Sequence, residues 1–226
     1  MLRAVIFDFD GVITDSEILH FRAFNAVLAQ HGLQLTKQQY YRDYLGLNDA
    51  DCYKTLIDEG RLTIAEALIP NLVQQKTRVF EKLARTEGKI IEGVREFLDV
   101  LSGAGVPIAI CSGALLAEIE LILEEARLRD YFEVIVSAEE VERGKPDPQG
   151  FLLALRKLID LWDEPIAPES CVVIEDSHWG LKAAEAAGMR TIAVTNTYDA
   201  DQLKLADKVV TRLDELTLED LRQLCS

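Results

Sequence analysis

Hydrophobic residues are spaced in two different ways along this chain. The opening run Leu2, Ala4, Val5, Ile6 and Phe7 is nearly continuous and rich in β-branched and aromatic side chains, the pattern of a strand buried on both faces. It stops at Asp8-Phe9-Asp10-Gly11, two acidic residues and a chain-bending glycine. Carboxylates at that position are not packing residues, and open α/β sheets bind ligands at the carboxyl ends of their strands. Taken alone, the acidic pair fits a polar turn as well as it fits a site.

From Ser16 to about residue 86 the spacing becomes helical. Ile18, Leu19, Phe21, Phe24, Val27 and Leu28 recur at three and four residues, with Ser16 placed as an N-cap and a stop near Gly32. Thr36 opens a second helical stretch through Tyr44, and Asn48 a third through Leu56 and Ile57. Thr63 and Glu66 have capping-box spacing, and Pro70 starts a further helix carrying Leu72, Val73, Val79, Phe80 and Leu83. Nothing in this block reads as a strand.

From Ile91 onward the two patterns alternate. Helices are predicted over 93–102, 114–126, 148–159 and 178–187, and strands over 106–111, 133–136, 171–174, 190–194 and near 208–210. Alternation of this kind predicts a doubly wound, Rossmann-like parallel α/β sheet. The expected organisation is an α/β core of residues 1–15 and 87–226, with residues 16–86 inserted as an all-helical cap domain on two linkers.

Composition narrows the function. With 39 acidic against 24 basic residues, the formal charge of -15 repels nucleic-acid backbones and anionic lipid, so neither is expected as a partner. No apolar stretch approaches the roughly 20 residues needed to span a bilayer, and the N-terminus has no signal-peptide pattern, so a cytosolic protein is expected. A monomer is expected. Cys52, Cys111, Cys171 and Cys225 are widely spaced, with no Cys-x-x-Cys pair, and read as buried or incidental thiols rather than zinc ligands or disulfides.

Each predicted strand delivers one polar element at its carboxyl end. The first gives Asp8 and Asp10, the second Ser112-Gly113 at the expected start of a helix, where a hydroxyl and backbone N–H groups suit phosphate oxygens. The third is followed by Lys145 in Gly144-Lys145-Pro146-Asp147-Pro148, and the fourth by Glu175-Asp176-Ser177. An N-cap, a solvated lysine and a helix-capping acid are ordinary readings of each in isolation. Their shared position and order point to one site.

With these four motifs, the chain resembles the haloacid dehalogenase superfamily along its whole length. The likeness is to the phosphatase branch with a small helical cap, which includes phosphoglycolate phosphatase and beta-phosphoglucomutase. The resemblance implies a phosphatase for a small phosphomonoester, such as a sugar phosphate or phosphoglycolate, with Mg2+ as cofactor. Asp8 would be the nucleophile that carries the phosphoryl group, and Asp10 the general acid and base, its carbonyl also on the metal. Ser112 and Gly113 would hold the phosphoryl group, Lys145 would neutralise it, and Glu175 and Asp176 would complete the metal site with Asp8 and Asp10. The family's dehalogenases lack the second Asp, so Asp10 argues against that chemistry.

Electrostatics leads the same way. A phosphate dianion approaching Asp8 beside Glu175 and Asp176 is repelled unless cations offset the charge, and one lysine is too few. An all-oxygen ligand set favours magnesium over zinc. Covalent transfer divides hydrolysis into two steps, with Asp10 protonating the leaving alcohol and then taking a proton from water.

The cap is expected to set the substrate. His20-Phe21-Arg22-Ala23-Phe24 is similar to a mutase segment whose histidine positions the acid/base Asp, and Lys76 matches a substrate-binding lysine by its place in the last cap helix. In the stretch Gly46-Leu47-Asn48-Asp49-Ala50-Asp51, Asp49 stands where the mutase has an arginine for a second phosphate. An anion there counts against mutase activity, the alternative function. A receiver-like signalling module shares the strand-end Asp, Ser and Lys but has neither the long helical insertion nor a need for the second Asp. His31 and His178 carry no assigned role.

Overall fold

The computed structural model of the chain describes residues 1–44 and 47–226. Gly46, in the second cap loop considered above, lies outside the described residues. The chain forms two compact units, Met1–Asp15 with Lys89–Ser226, and Ser16–Gly88.

The larger unit is built on six parallel strands: β1 (Ala4–Phe7), β2 (Ile108–Cys111), β3 (Val134–Val136), β4 (Cys171–Glu175), β5 (Arg190–Val194) and β6 (Lys208–Val210). Their order is β3-β2-β1-β4-β5-β6. The chain winds outward from β1 through β2 and β3, then returns to the other side of β1 as β4. That reversal makes the β1–β4 boundary the switch point of the sheet, where a doubly wound fold opens a crevice. Phe7 is level with Ile110 on one side and Ile174 on the other, so Asp8 and Glu175 emerge at the same height across the boundary.

Burial on both faces explains the continuous apolar runs. Ala4, Ile6, Ala109, Cys111, Cys171 and Val173 pack with Phe151, Ala154, Leu155 and Leu158 of α7 (Gln149–Trp162) and Ala183 and Ala184 of α8 (His178–Ala186). On the opposite face Phe7 meets Phe97 of α5 (Val94–Gly103) edge-on, with ring centroids 6.0 Å apart, and Phe132 at 6.2 Å. A buried aromatic of this kind contributes enough that truncation to alanine costs about 3–5 kcal/mol.

Two further helices complete this unit, α6 (Leu116–Glu125) and α9 (Leu218–Leu224). The latter is outside the elements expected from sequence. Only seven residues long, it depends on its cap: Thr217 accepts from the Asp220 N–H, and the Asp220 side chain answers to the Thr217 N–H.

The smaller unit is entirely helical among its described residues, with α1 (Glu17–Ala29), α2 (Lys37–Asp43), α3 (Asp49–Asp58) and α4 (Ile69–Glu87). Phe24 anchors its core, 4.6 Å from Tyr53, with Val27, Leu28, Leu56, Ile69 and Leu72 around it. Thr36 and Asn48 cap α2 and α3 as the sequence suggests. Two expected caps do not form. Ser16 has helical φ and ψ of -83° and -16°, and its side chain makes no capping hydrogen bond. Thr63 and Glu66 form no box, because Glu66 is itself the first residue of a short 3-10 turn and its carboxylate takes Lys54 at 2.8 Å.

Among the described residues no helix is long and apolar enough to cross a membrane. All four cysteines are buried and unpaired with one another.

Candidate active site

Four strand-end loops of the larger unit converge. The Asp8 N–H donates to the Ile174 carbonyl at 2.9 Å, carrying the β1–β4 ladder one residue beyond the strand and fixing Asp8 at the switch point. Its side chain accepts from Lys145 Nζ at 2.7 Å, and the same ammonium donates to Glu175 Oε1 at 2.7 Å while lying over the Phe151 ring. Lys145 thus bridges two acids 137 and 30 residues away in sequence.

Glu175 is fully buried, and its second oxygen accepts from the Asp176 N–H, the Ser177 N–H and the Ser177 hydroxyl at 2.9–3.0 Å. Ser177 in turn accepts from the Gly180 N–H, capping α8. Glu175 therefore shapes its own loop as well as holding Lys145. Gly180 is required by this packing, since a Cβ there would fall 1.6 Å from Glu175 Oε1.

Asp8, Glu175 and Asp176 bring carboxylate oxygens within 4.8 Å of one another. Two like charges that close repel by about 3–4 kcal/mol even at an effective dielectric constant of about 20. Burial, then the Glu175 charge, pushes Asp8 above the ordinary carboxylate range, with Lys145 pulling the other way. Asp176 is raised by burial, then by Asp8 and Glu175, against a hydrogen bond from Thr197. Burial opposes the ammonium of Lys145, but Asp8 and Glu175 outweigh it and hold the proton on. This donor set is all oxygen, buried and short of positive charge, which fits a hard divalent cation.

Asp10 lies in a tight turn where the Gly11 N–H donates to the Thr14 carbonyl at 2.7 Å, and Gly11 has φ +79°, a conformation open to glycine. Asp10 is near enough to Asp8 for its charge to raise that group further. Ser112 is buried one residue past β2, its N–H donating to the Val136 carbonyl at 2.9 Å. One correction applies to it: α6 begins at Leu116, so Ser112 and Gly113 belong to the loop before it rather than to the first turn of a helix. The Ser112 hydroxyl accepts the Ala114 N–H at 3.0 Å, a local bond that delays the helix and leaves the hydroxyl proton for an acceptor.

His20 and Lys76 belong to the helical unit, where they meet. Lys76 Nζ is 2.6 Å from His20 Nδ1 and 3.0 Å from Asp49 Oδ2, and the His20 ring stacks on Phe80 at 4.1 Å. Burial, then the Lys76 charge, lowers the pKa of His20 well below its usual value. A neutral imidazole accepting at Nδ1 carries its proton on Nε2. His31 sits exposed in the turn ending α1, and His178 opens α8 against Trp179 and Tyr198.

The sequence reading missed three residues, Gly180, Asn196 and Thr197. Asn196 and Thr197 lie in the loop after β5, Asn196 donating to the Gly11 carbonyl at 2.7 Å and Thr197 Oγ1 lying beside Asp176, whose pKa it helps to lower. The only sequence signal was their place at another strand end, in a polar loop without a motif.

Comparison with known proteins agrees with this geometry. The family described as haloacid dehalogenase-like hydrolase matches residues 5–194. A phosphorylated carbohydrates phosphatase of Thermotoga maritima is 32% identical over 84% of this chain and 84% of its own length. The beta-phosphoglucomutase of Bacillus subtilis is 29% identical over 98% of this chain and 95% of its own. The crystal structure of CbbY from Rhodobacter sphaeroides in complex with phosphate shares the fold at a TM-score of 0.86 and 28% identity, covering 98% of this chain and 100% of that one. The parallel sheet, the convergence of its strand ends and the extent of the match lead to one assignment: this chain belongs to the haloacid dehalogenase-like hydrolases.

Proposed function

We propose that this hydrolase is a magnesium-dependent phosphatase for a small phosphorylated metabolite of the carbohydrate type, working through a phosphoryl group carried on Asp8. The observation that carries the reading is the Lys145 bridge between Asp8 and Glu175 inside a cluster of three carboxylates. Asp8 and Asp176, with the Asp10 carbonyl, would hold the ion, and Glu175 completes the cluster while anchoring Lys145. When bound, Mg2+ supplies positive charge that offsets the phosphoryl oxygens and the ionised carboxylates.

The chain's own residues perform the steps. Asp8 attacks phosphorus through a carboxylate oxygen, and the bond from phosphorus to the ester oxygen breaks. Asp10 gives its proton to that oxygen, releasing the alcohol. Water then attacks the phosphorus of the acyl phosphate, Asp10 takes its proton, and Asp8 and inorganic phosphate separate. Lys145 keeps Asp8 oriented and offsets charge throughout, while the Ser112 hydroxyl donates to a phosphoryl oxygen. His20 and Lys76 are proposed to read the rest of the substrate. The Thermotoga maritima relative, named for phosphorylated carbohydrates, supports the substrate class.

A phosphomutase would share every residue of this core. Against it stands Asp49, which pairs with Lys76 and leaves that lysine little net field with which to hold a second phosphate. The test is a turnover screen over phosphorylated sugars, polyols and glycolate with Mg2+ and with chelator. Mg2+-dependent phosphate release is expected; release unaffected by chelation, or isomerisation of a sugar phosphate without release, contradicts the reading.

A further inference from the structure

The loop after β5 reaches back across the switch point to the site at two places. Asn196 Nδ2 donates to the Gly11 carbonyl at 2.7 Å across 185 residues of sequence, and Thr197 Oγ1 lies beside the Asp176 carboxylate. The two ends meet at Gly11, where a Cβ would lie 1.8 Å from Asp176 Oδ2 and 2.9 Å from Thr197 Oγ1. Gly11, Asp176 and Thr197 are therefore packed face to face with no room for a side chain between them.

This packing fixes the direction of two ligand groups. The Asp10 carbonyl and the Gly11 N–H share one trans peptide, so they point to opposite sides of it. With the N–H donating to the Thr14 carbonyl, the Asp10 carbonyl must face away from Thr14. Asn196 holds the next peptide of the same turn and resists its rotation. Thr197 Oγ1 is placed against the Asp176 carboxylate across Gly11 and limits its rotation. Asn196 and Thr197 are themselves exposed.

We propose that Asn196 and Thr197 are positioning residues that orient the Asp10 carbonyl and the Asp176 carboxylate toward a divalent cation, giving the site a fifth loop. The inference rests on the magnesium-dependent reading above. Outer hydrogen bonds to ligating groups typically contribute about 10–100-fold to metal affinity.

Calorimetric titration of the full chain with MgCl2, without substrate, tests it independently of turnover. Thr197→Val, which keeps the shape and removes the hydroxyl beside Asp176, is expected to weaken Mg2+ binding about tenfold. Thr197→Ser is expected to restore it, and Asn196→Ala to weaken it in the same direction. The rise in Tm produced by Mg2+ should shrink with affinity, while Tm in chelator stays that of the wild type. If the valine variant does not fold, Thr197→Ala carries the same comparison. Wild-type affinity in the variants lacking the Thr197 hydroxyl, a loss that serine fails to restore, or a wild-type protein that binds no Mg2+ overturns the inference. A wild-type protein that binds Mg2+ yet releases no phosphate from any monoester refutes the proposed activity alone, and the comparison among variants still decides this one.

Discussion

Asp49 Oδ2 lies 3.0 Å from Lys76 Nζ, and the lysine is only 2% exposed. The pair joins the first turn of α3 to the middle of α4, so the smaller unit carries a cation whose charge is largely answered from within. Such a lysine can still donate a hydrogen bond to a hydroxyl or carbonyl, but it offers little net field to a second phosphate. Asp49→Asn removes the opposing charge at nearly constant shape. If the helical unit reads the substrate as proposed, affinity for a bisphosphorylated sugar should rise about three- to tenfold relative to the monophosphate, an effect of roughly 1 kcal/mol. An unchanged ratio of inhibition constants would remove Asp49 from specificity.

His20 makes the helical unit sensitive to acid. Its pKa is lowered on folding by burial and then by Lys76, so the unfolded chain binds its proton more readily than the folded one. Stability from this group is therefore present above the unfolded histidine value of about 6.5 and is lost as pH falls through and below it. Thermal unfolding should show a decline in Tm on acidification that His20→Gln makes shallower. Identical pH profiles for the two proteins would contradict the assignment.

Gly180 gives a test whose sign is unusual. Replacing a glycine inside a helix by alanine ordinarily stabilises by up to about 1 kcal/mol. Here the new Cβ would sit 1.6 Å from Glu175 Oε1, displacing the acid that holds Lys145. Gly180→Ala should instead destabilise by about 1–3 kcal/mol, a lowering of Tm by several degrees, and turnover should fall with it. A gain in stability would mean that Glu175 moves aside without cost.

The strands and the order of the site motifs were legible because β1, β2 and β4 are apolar on both faces and each ends abruptly at a polar residue. Where the reading failed, a local pattern lost to its surroundings. Ser16 stands where a cap belongs but adopts helical backbone angles, and Glu66 goes to Lys54 rather than Thr63. Ser112 turns back on Ala114, so the helix expected at 114 starts at Leu116. Asn196, Thr197 and Gly180 were illegible for another reason. Their roles come from the approach of loops distant in sequence, which no periodicity encodes.

Asp10 is expected to separate chemistry from binding. Asp10→Ala should retain Mg2+, since only its backbone carbonyl is proposed as a ligand, and lose about a hundred- to ten-thousandfold in kcat on alkyl phosphates. An activated aryl phosphate, whose leaving group needs little protonation, should lose less. Equal losses on both substrates would make Asp10 structural.

The central claim is that Asp8 itself carries the phosphoryl group. Rapid mixing of the protein with Mg2+ and a phosphomonoester, acid quenching and mass analysis of the N-terminal peptide tests it most directly. The account predicts a transient increment of one phosphoryl group on the peptide containing Asp8, absent in Asp8→Asn and in chelator. Turnover that proceeds with no such increment at any time, or an increment that survives Asp8→Asn, would contradict it.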